Sequence, residues 1–317
     1  MKKLSIVVSV YNEEQVICQF HEQTSKVLKE LPCEYEILYV NDGSKDASEL
    51  LLDDIAKKDE HAKLVHFSRN FGHEAAMIAG IDYASGDYIV CMDADLQHPP
   101  EQIPKMFEAF EEGNEIILMV RESNKDAGLF KNITSNLFYG ILNWLGNDKF
   151  VKNVSDFFGM SAKVANLFRT EYREKRRYLR GYIQHVGFQK KVIHYVAAPR
   201  FAGESKYNVK ALMNVFVIAI VNFSKNMVRA GFLFALIAFL FAIMFAVYSI
   251  TLYCRIHTWS GIGVLACVIS FFFALQFILM GITGEYIGAI LSETNRRPIY
   301  IVKETCHLDK KKDEEKS

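Results

Sequence analysis

The sequence lacks the glycine-rich loops that mark the commonest nucleotide-binding folds. No Gly-x-Gly-x-x-Gly motif follows its first predicted strand, and no Gly-Lys-Ser or Gly-Lys-Thr loop occurs in its 317 residues. The chain also lacks an excess of either charge, because 37 basic residues balance 37 acidic ones. These absences disfavour a dinucleotide-dependent dehydrogenase, a P-loop ATPase and a nucleic-acid-binding protein.

Cysteine is scarce and scattered, and no secretory leader opens the chain. The six cysteines, at positions 18, 33, 91, 254, 267 and 306, share no paired spacing. The apolar run that begins at Leu4 is too short for a signal peptide and leads at once into Tyr11-Asn12-Glu13-Glu14. Both features predict reduced thiols in a cytosolic N-terminal domain.

Two stretches near the C-terminus contain no charged residue. They run from Ala230 to Cys254 and from Thr258 to Gly284. Each exceeds the roughly 20 residues that a membrane-spanning helix needs, so we expect a hairpin of two transmembrane helices over residues 230–285. Lysines and arginines lie mainly outside the hairpin, and the positive-inside rule therefore places the N-terminal domain and the C-terminus in the cytoplasm, at the plasma membrane.

The segments on either side of the hairpin carry basic residues. Residues 206–229 combine apolar side chains with Lys210, Lys225 and Arg229 at the edges, which predicts an amphipathic segment in the membrane interface. A helix packed on the N-terminal domain is the alternative interpretation. Residues 286–317 are predicted to form a basic cytoplasmic tail. Association of such hairpins in the bilayer would allow a homo-oligomer.

The N-terminal part alternates between short β-rich runs and helical patterns. The sequence predicts strands over residues 4–10, 35–40, 63–67, 88–92 and 115–120, and helices over residues 13–31, 46–58, 73–84 and 101–112. This alternation indicates an α/β fold with a mostly parallel sheet covered on both faces. Ligands of such sheets bind outside the carboxyl ends of the strands.

Two carboxylates, Asp93 and Asp95, follow the fourth predicted strand directly. Their spacing places them on the same side of the chain, where they would repel each other without a cation between them. Mg²⁺ or Mn²⁺ suits oxygen ligands of this kind, and Gln97 could add a neutral oxygen. The alternative is a pair of solvated aspartates in the turn before a helix. We interpret His73 and His98 as polar surface residues.

Polar motifs also follow the other predicted strands. Tyr11-Asn12-Glu13-Glu14, Asn41-Asp42-Gly43-Ser44 and Arg69-Asn70-Phe71-Gly72 come after the first three. Each motif alone could be an ordinary turn or helix cap. Together with Asp93 they would meet in one crevice, which favours a nucleotide-binding site.

The sequence resembles family-two glycosyltransferases with the GT-A nucleotide-diphospho-sugar fold. The likeness is strongest to the polyprenyl-phosphate branch, which includes dolichol-phosphate mannose synthase and the bacterial GtrB-type glucosyltransferases. Ser9 departs from the pattern, because many relatives have proline there. The residues that carry the resemblance are Val10-Tyr11-Asn12-Glu13-Glu14, Asn41-Asp42-Gly43-Ser44-Lys45-Asp46, Ser68-Arg69-Asn70-Phe71-Gly72-His73-Glu74, Asp93-Ala94-Asp95-Leu96-Gln97-His98-Pro99-Pro100-Glu101, Arg180-Gly181, Ala202-Gly203-Glu204-Ser205-Lys206-Tyr207, Gly284-Glu285-Tyr286-Ile287-Gly288 and Arg297-Pro298-Ile299-Tyr300.

The resemblance implies a GT-A domain over residues 1–205 and a role for each matching position. Asp156 and Asp95 are the expected catalytic residues. The implied metal ligands are Asp93, Asp95 and Gln97, and the implied acceptor-phosphate residues are Arg121, Lys131 and Ser135. The implied donor-binding residues are Tyr11, Glu13, Asp42, Asp93, Arg200 and Lys206.

The expected reaction is an inverting transfer of a sugar from a nucleotide-diphospho-sugar, with UDP the expected nucleotide, to a polyprenyl phosphate. A phosphate oxygen is already anionic near neutral pH, so the reaction needs positioning and charge compensation more than a strong base. The expected product is a lipid-linked monosaccharide for the cell envelope. The alternatives are transfer to another lipid or a polysaccharide, and a non-catalytic membrane protein that binds nucleotide sugars.

Overall fold

A computed structural model describes residues 1–122, 154–175, 177–196 and 262–308, with residue 151 and parts of the segment 236–255. The chain divides into two compact units. The first unit comprises Met1–Asn136, Phe150–Leu212 and Arg297–Ser317, and the second comprises Leu137–Lys149 and Met213–Arg296.

The first unit is built on an eight-stranded sheet in the order β7-β5-β6-β4-β1-β2-β3-β8. Six strands run in the same direction, and β6 and β8 run against them. The strands are β1 Lys3–Val10, β2 Glu34–Asn41, β3 Ala62–Phe67, β4 Tyr88–Asp93, β5 Ile116–Arg121, β6 Val154–Ser161, β7 Lys190–Tyr195 and β8 Val302–Cys306.

Helices connect these strands and cover the sheet. They are α1 Ile17–Lys29, α2 Ser48–Lys58, α3 His73–Tyr83, α4 Ile103–Glu111, α5 Ala162–Thr170 and α6 Leu179–His185. A 3-10 turn, Pro100–Gln102, precedes α4. The second unit contains α7, Ile262–Thr294.

The observed architecture confirms the predicted α/β fold with its mostly parallel sheet. The five strands and four helices predicted over residues 4–120 all form, with shifted ends. Helix α1 begins at Ile17 instead of residue 13, because the carbonyl of Glu13 accepts the N–H groups of both Val16 and Ile17 at 3.0 Å in a preceding turn.

Helix α3 packs very closely on strand β1. A Cβ atom at Gly80 would lie 2.1 Å from Cγ1 of Val7, so only glycine permits this approach. Val7 is fully buried, and residues 75–83 of α3 are buried as well. The N-terminus of α3, which carries His73 and Glu74, is thereby fixed against the carboxyl end of the sheet.

The segment after α7 returns to the first unit. Strand β8 pairs antiparallel with β3, and Tyr300 donates a hydrogen bond to Oδ2 of Asp82 at 2.7 Å. The prediction of a basic tail over residues 286–317 did not anticipate this, since α7 continues to Thr294 and residues 302–306 form an edge strand of the sheet.

The second unit contains one helix, among the described residues, that is long and apolar enough to cross a membrane. It covers Phe271–Thr294 and has a mean hydropathy of 1.5. The first predicted span is described in part, and its described residues, 236–241, 243–244, 247–248, 250–251 and 254, are helical. The predicted interfacial segment, residues 206–229, lies wholly outside the described residues.

Candidate active site

The carboxyl ends of the central parallel strands gather the polar motifs along one edge of the sheet. The pairing register places Ser9 of β1 opposite Asp93 of β4, and Val10 opposite Asn41 of β2. Strand β6 runs antiparallel beside β4, with Phe158 opposite Cys91. Asp156, two residues earlier on β6, therefore lies near the carboxyl end of β4.

Asp156 forms a two-pronged ion pair with Arg180. Nε and Nη2 of Arg180 donate to the two carboxylate oxygens, and the aspartate side chain is 12% exposed. Burial raises the pKa of Asp156, but Arg180 and His73 outweigh burial and hold it well below its usual range. The carboxylate is therefore ionised at neutral pH and is better suited to orienting cations and hydroxyls than to accepting a proton.

His73 lies between the two carboxylates of the site. Its Nδ1 is 2.8 Å from Oγ of Ser9 and 3.6 Å from Oδ1 of Asp93, and its Nε2 is 3.7 Å from Oδ2 of Asp156. Burial lowers the pKa of His73, but Asp93, Asp156 and Glu74 raise it more strongly, so the net shift is upward. The His73 side chain is 39% exposed, as expected for a polar surface residue, but its place between the two carboxylates was not predicted, because neighbouring sequence gives no sign of these distant partners.

His98 is a buried residue of the site and not a surface residue, with 6% exposure. Its Nδ1 accepts the backbone N–H of Asp93 at 3.0 Å, and its ring stacks on Phe157 with centroids 5.2 Å apart. The predicted surface position for His98 was therefore wrong. The ring fixes the backbone of Asp93 at the point where β4 ends.

The loop after Asp93 holds the second aspartate and Gln97. Oδ1 of Asp95 accepts the backbone N–H of Gln97 at 3.0 Å, around Leu96 with its φ of 59°. Oε1 of Gln97 accepts a hydrogen bond from Arg121 at 3.2 Å. The structure thus brings a predicted metal ligand beside Arg121, the predicted acceptor-phosphate residue at the end of β5.

Three side chains of the described residues place potential metal-ligand atoms within 4.8 Å of one another. They are His73, Asp93 and Asp156. Asp93 and Asp156 supply the hard oxygen donors that Mg²⁺ and Mn²⁺ prefer, and two carboxylates this close gain from a cation between them. These three residues therefore fit a divalent ion. Asp93 belongs both to this cluster and to the ligand set predicted from the sequence, which is Asp93, Asp95 and Gln97.

Asp42 forms hydrogen bonds that stabilise the loop between β3 and α3. Its two carboxylate oxygens accept the backbone N–H groups of Phe71 at 2.6 Å and Gly72 at 2.9 Å. Burial raises the pKa of Asp42 despite these bonds. Gly43, with a φ of 62°, permits the approach, because a Cβ there would lie 2.5 Å from the carbonyl carbon of Arg69.

Hydrogen bonds join the first and second strand ends into one surface. The N–H of Asn12 donates to Oγ of Ser44 at 3.0 Å, and the N–H of Lys45 donates to Oδ1 of Asn12 at 2.8 Å. The N–H of Glu13 donates to Oγ of Ser48 at 2.8 Å. The predicted donor-binding segments around Tyr11, Glu13 and Asp42 are therefore neighbours.

Glu74 is a site residue to which the sequence interpretation assigned no role. Its Oε2 accepts the backbone N–H of Leu179, the first residue of α6, at 3.1 Å. Burial first, and then the charge of Asp156, raise the pKa of Glu74 to about 7. The only sequence signal for a role of Glu74 was its place at the end of the motif Ser68–Glu74. Its hydrogen-bond partner, Leu179, lies 105 residues further along the chain, so the sequence could not reveal the contact.

Four predicted site residues fall outside the part of the chain that the structure describes. They are Lys131 and Ser135, predicted for the acceptor phosphate, and Arg200 and Lys206, predicted for the donor. Their roles stay predictions.

The profile of glycosyl transferase family 2 matches residues 5–175, which contain most of this site. The chain belongs to glycosyltransferase family 2. Arg180 and the C-terminal strand β8 of this family 2 glycosyltransferase lie beyond the matched range. The match confirms the predicted family.

Curated relatives share nearly the whole length of this family 2 glycosyltransferase. An uncharacterised glycosyltransferase, YkcC, of Bacillus subtilis is 37% identical over 97% of this chain and 95% of its own length. The bactoprenol glucosyl transferase of Shigella phage SfV is 36% identical over 95% of this chain and 98% of its own length. A solved structure, glucosyl-3-phosphoglycerate synthase from Mycobacterium tuberculosis with Mn²⁺, UDP-glucose and phosphoglyceric acid, covers 69% of this chain and 78% of its own at 16% identity and a TM-score of 0.48.

Proposed function

We propose that this glycosyltransferase transfers a sugar from a nucleotide-diphospho-sugar to a polyprenyl phosphate at the membrane. The observation that carries the proposal is the convergence of Asp93, His73, Asp156 and Arg180 at the carboxyl edge of the sheet. Relatives named bactoprenol glucosyl transferases support a polyprenyl-phosphate acceptor and a glucosyl group as the sugar. UDP is the nucleotide expected from the sequence, so UDP-glucose is the first donor to test.

In the proposed reaction, an anionic oxygen of the lipid phosphate attacks the anomeric carbon of the sugar. The bond between that carbon and the β-phosphate oxygen breaks, and the nucleoside diphosphate leaves with the electron pair. Direct displacement inverts the anomeric configuration. No proton has to be removed from the nucleophile, so the reaction requires no general base. This agrees with the lowered pKa of Asp156, which makes that carboxylate a poor base.

The chain's own residues orient the reactants in this proposal. Arg121 attracts the acceptor phosphate at the end of β5, and Asp156, held by Arg180, orients a donor hydroxyl. Asp93, with Asp95 and Gln97, would hold Mg²⁺ or Mn²⁺. That ion would compensate the negative charge that grows on the diphosphate.

The position of β8 supports a membrane anchor with an even number of crossings. Strands β3 and β8 are hydrogen-bonded neighbours in one sheet, so the chain before residue 196 and the chain after residue 297 lie on the same side of a membrane. If α7 crosses once, the residues between 197 and 261 must cross an odd number of times. This agrees with the predicted hairpin, and the basic flanks favour the cytoplasmic side.

Activity with a panel of donors tests the proposal. The full-length protein in detergent would be incubated with undecaprenyl phosphate, Mn²⁺ and separate nucleotide sugars, and the glycolipid would be identified by mass spectrometry. We expect a product with at least one donor, loss of that product with EDTA, and its recovery when Mg²⁺ or Mn²⁺ is added back. Absence of product with every donor would refute the proposal.

Two variants and two other acceptors sharpen that test. Asp93→Asn and Asp156→Asn should each abolish most of the product, whereas Asp87→Asn, at the opposite end of the sheet, should not. Diacylglycerol and an oligosaccharide serve as competing acceptors. Transfer to either of them in preference to the lipid phosphate would show that the acceptor is a different one.

A further inference from the structure

The carboxylate of Glu74 connects the start of α3 to the start of α6. Its Oε2 accepts the N–H of Leu179 at 3.1 Å. Tyr178, at the N-cap of α6, makes no side-chain capping bond of its own. The first N–H groups of any helix lack intrahelical partners, and a carboxylate beside them is favourable. Glu74 therefore caps the first N–H of α6 from a distant element.

Helix α6 in turn holds the central aspartate of the site. Arg180, the second residue of α6, donates hydrogen bonds to both carboxylate oxygens of Asp156. At the other end of α6, Oε1 of Gln184 accepts the N–H of Val151 at 2.6 Å, close to the start of β6. The helix has only seven residues, and helices this short depend on tertiary contacts to keep their place.

We propose that Glu74 is a positioning residue that sets Asp156 for the transfer reaction by anchoring the first turn of α6 and thereby Arg180. This role deepens the proposed glycosyl transfer and rests on it. Glu74 acts through the oxygen that accepts the Leu179 N–H. It does not belong to the group of metal-ligand atoms formed by His73, Asp93 and Asp156.

Two substitutions at Glu74 distinguish the effect of its hydrogen bond to Leu179 from the effect of its negative charge. Glu74→Gln keeps the chain length and an acceptor oxygen but removes the charge. Glu74→Asp keeps the charge but withdraws the oxygen by one methylene. We expect Glu74→Gln to retain most of the wild-type kcat, and Glu74→Asp and Glu74→Ala to lower kcat by about tenfold or more with little change in the donor KM. The reverse order, with Asp active and Gln inactive, would overturn the proposal.

A double-mutant cycle tests whether Glu74 acts through Arg180. If it does, Glu74→Ala combined with Arg180→Ala should have the kcat of Arg180→Ala alone. Losses that multiply would show that Glu74 acts on the reaction by another route, against the proposal.

Hydrogen exchange of the α6 amides provides a readout that needs no turnover. Glu74→Asp should speed exchange over residues 179–185, Glu74→Gln should not, and α1 should be unaffected in both. Asp87→Ala is the matched control, because Asp87 also accepts a distant backbone N–H, from Lys3 at 2.9 Å, but at the opposite end of the strands. It should change neither α6 exchange nor kcat.

The two proposals fail in different ways. A wild-type protein that makes no product refutes the transfer reaction, while the exchange experiment still reports on the anchoring of α6. Unchanged α6 exchange in Glu74→Asp refutes the positioning role, even in an active enzyme.

Discussion

Tyr300 donates a hydrogen bond to Asp82 at 2.7 Å and so ties the segment after the apolar helix α7 to the end of α3. Asp82 is 2% exposed and also accepts two hydrogen bonds from Arg173, at 2.8 and 3.0 Å. The ring of Tyr300 stacks on Phe67 of β3, with centroids 5.2 Å apart. This contact lies in the first unit alone and explains why the Arg297-Pro298-Ile299-Tyr300 motif belongs to the fold of the catalytic part.

Tyr300→Phe should destabilise the first unit while keeping the stack on Phe67. The variant removes a partly buried hydrogen bond to a charged acceptor, which is worth about 1.5–3 kcal/mol. We expect a lower melting temperature of the full chain in detergent, followed by circular dichroism. Tyr88→Phe is the matched control, because Tyr88 also stacks on a phenylalanine, Phe110, but its hydroxyl bonds the exposed Glu111. Equal shifts in the two variants would contradict the structural importance of the Asp82 contact.

The sequence could predict the elements whose signal is local. Strands β1 to β5 alternate with helices, of which α1, α2 and α4 are amphipathic and α3 is a buried apolar run, and these local patterns are enough to place them. Strand β8, Val302–Cys306, has two exposed residues and pairs with β3 across more than 230 positions, so no local pattern reveals it. Strand β6 is hard to recognise for a different reason, because it contains Asp156 and Gly159, and aspartate and glycine are depleted in strands.

The candidate site could be predicted only in part, for the same reason as β8. Asp93 and Asp95 are recognisable because they follow a buried strand directly. The role of His73 depends on Ser9, Asp93 and Asp156, which come from three different strands. The anchoring of α6 by Glu74 likewise requires contacts that only the folded chain creates.

Arg180→Lys should reduce turnover more than it reduces stability. Lysine cannot make the two-pronged contact with Asp156, so the carboxylate loses one of its fixed partners. A charge-assisted hydrogen bond of about 1.5–3 kcal/mol corresponds to a fall in kcat of about 10- to 160-fold if its whole value is used in positioning. Initial rates at saturating donor and acceptor measure the effect.

Arg173→Lys is the control for that experiment. Arg173 makes an equivalent two-pronged contact with Asp82, away from the site. It should lower the melting temperature with a much smaller effect on kcat. The same loss of turnover in both variants would mean that Arg180 matters only for folding.

Glu36 should make the stability of the first unit depend on acidic pH. Burial raises its pKa, but hydrogen bonds from Lys63, Ser5, Ser85 and Lys3 outweigh burial and lower it to about 2, against an ordinary 4.5. A carboxyl group whose pKa is lower in the folded state stabilises that state above its unfolded pKa. The contribution, about 3 kcal/mol, is lost as the pH falls from 4.5 through about 2.

Glu36→Gln tests that dependence. Melting temperatures measured between pH 7 and pH 2 should fall less steeply with acid in this variant than in the wild type, because the group that titrates has been removed. Its stability at pH 7 should be lower, since Lys3 and Lys63 lose their shared partner. Glu34→Gln, at an exposed position two residues earlier, should leave the acid profile as it is. An unchanged slope in Glu36→Gln would refute the assignment.

The pairing of β8 with β3 also predicts the membrane topology. A fluorescent protein fused after Ser317 and one fused before Met1 should report the same side of the membrane, because the two ends of the first unit share one sheet. Under the proposed orientation that side is the cytoplasm. In a chain without its six native cysteines, Ser260→Cys should react with a membrane-impermeant maleimide from outside the cell, since residue 260 lies between the two predicted spans. A cysteine at Ser85, which bonds the buried Glu36 in the catalytic sheet, should stay unlabelled until the membrane is opened.

Labelling of both positions from outside would place the catalytic part on the wrong side for the proposed reaction. Labelling of neither in intact cells, with both labelled after lysis, would show that residues 197–261 do not cross the membrane.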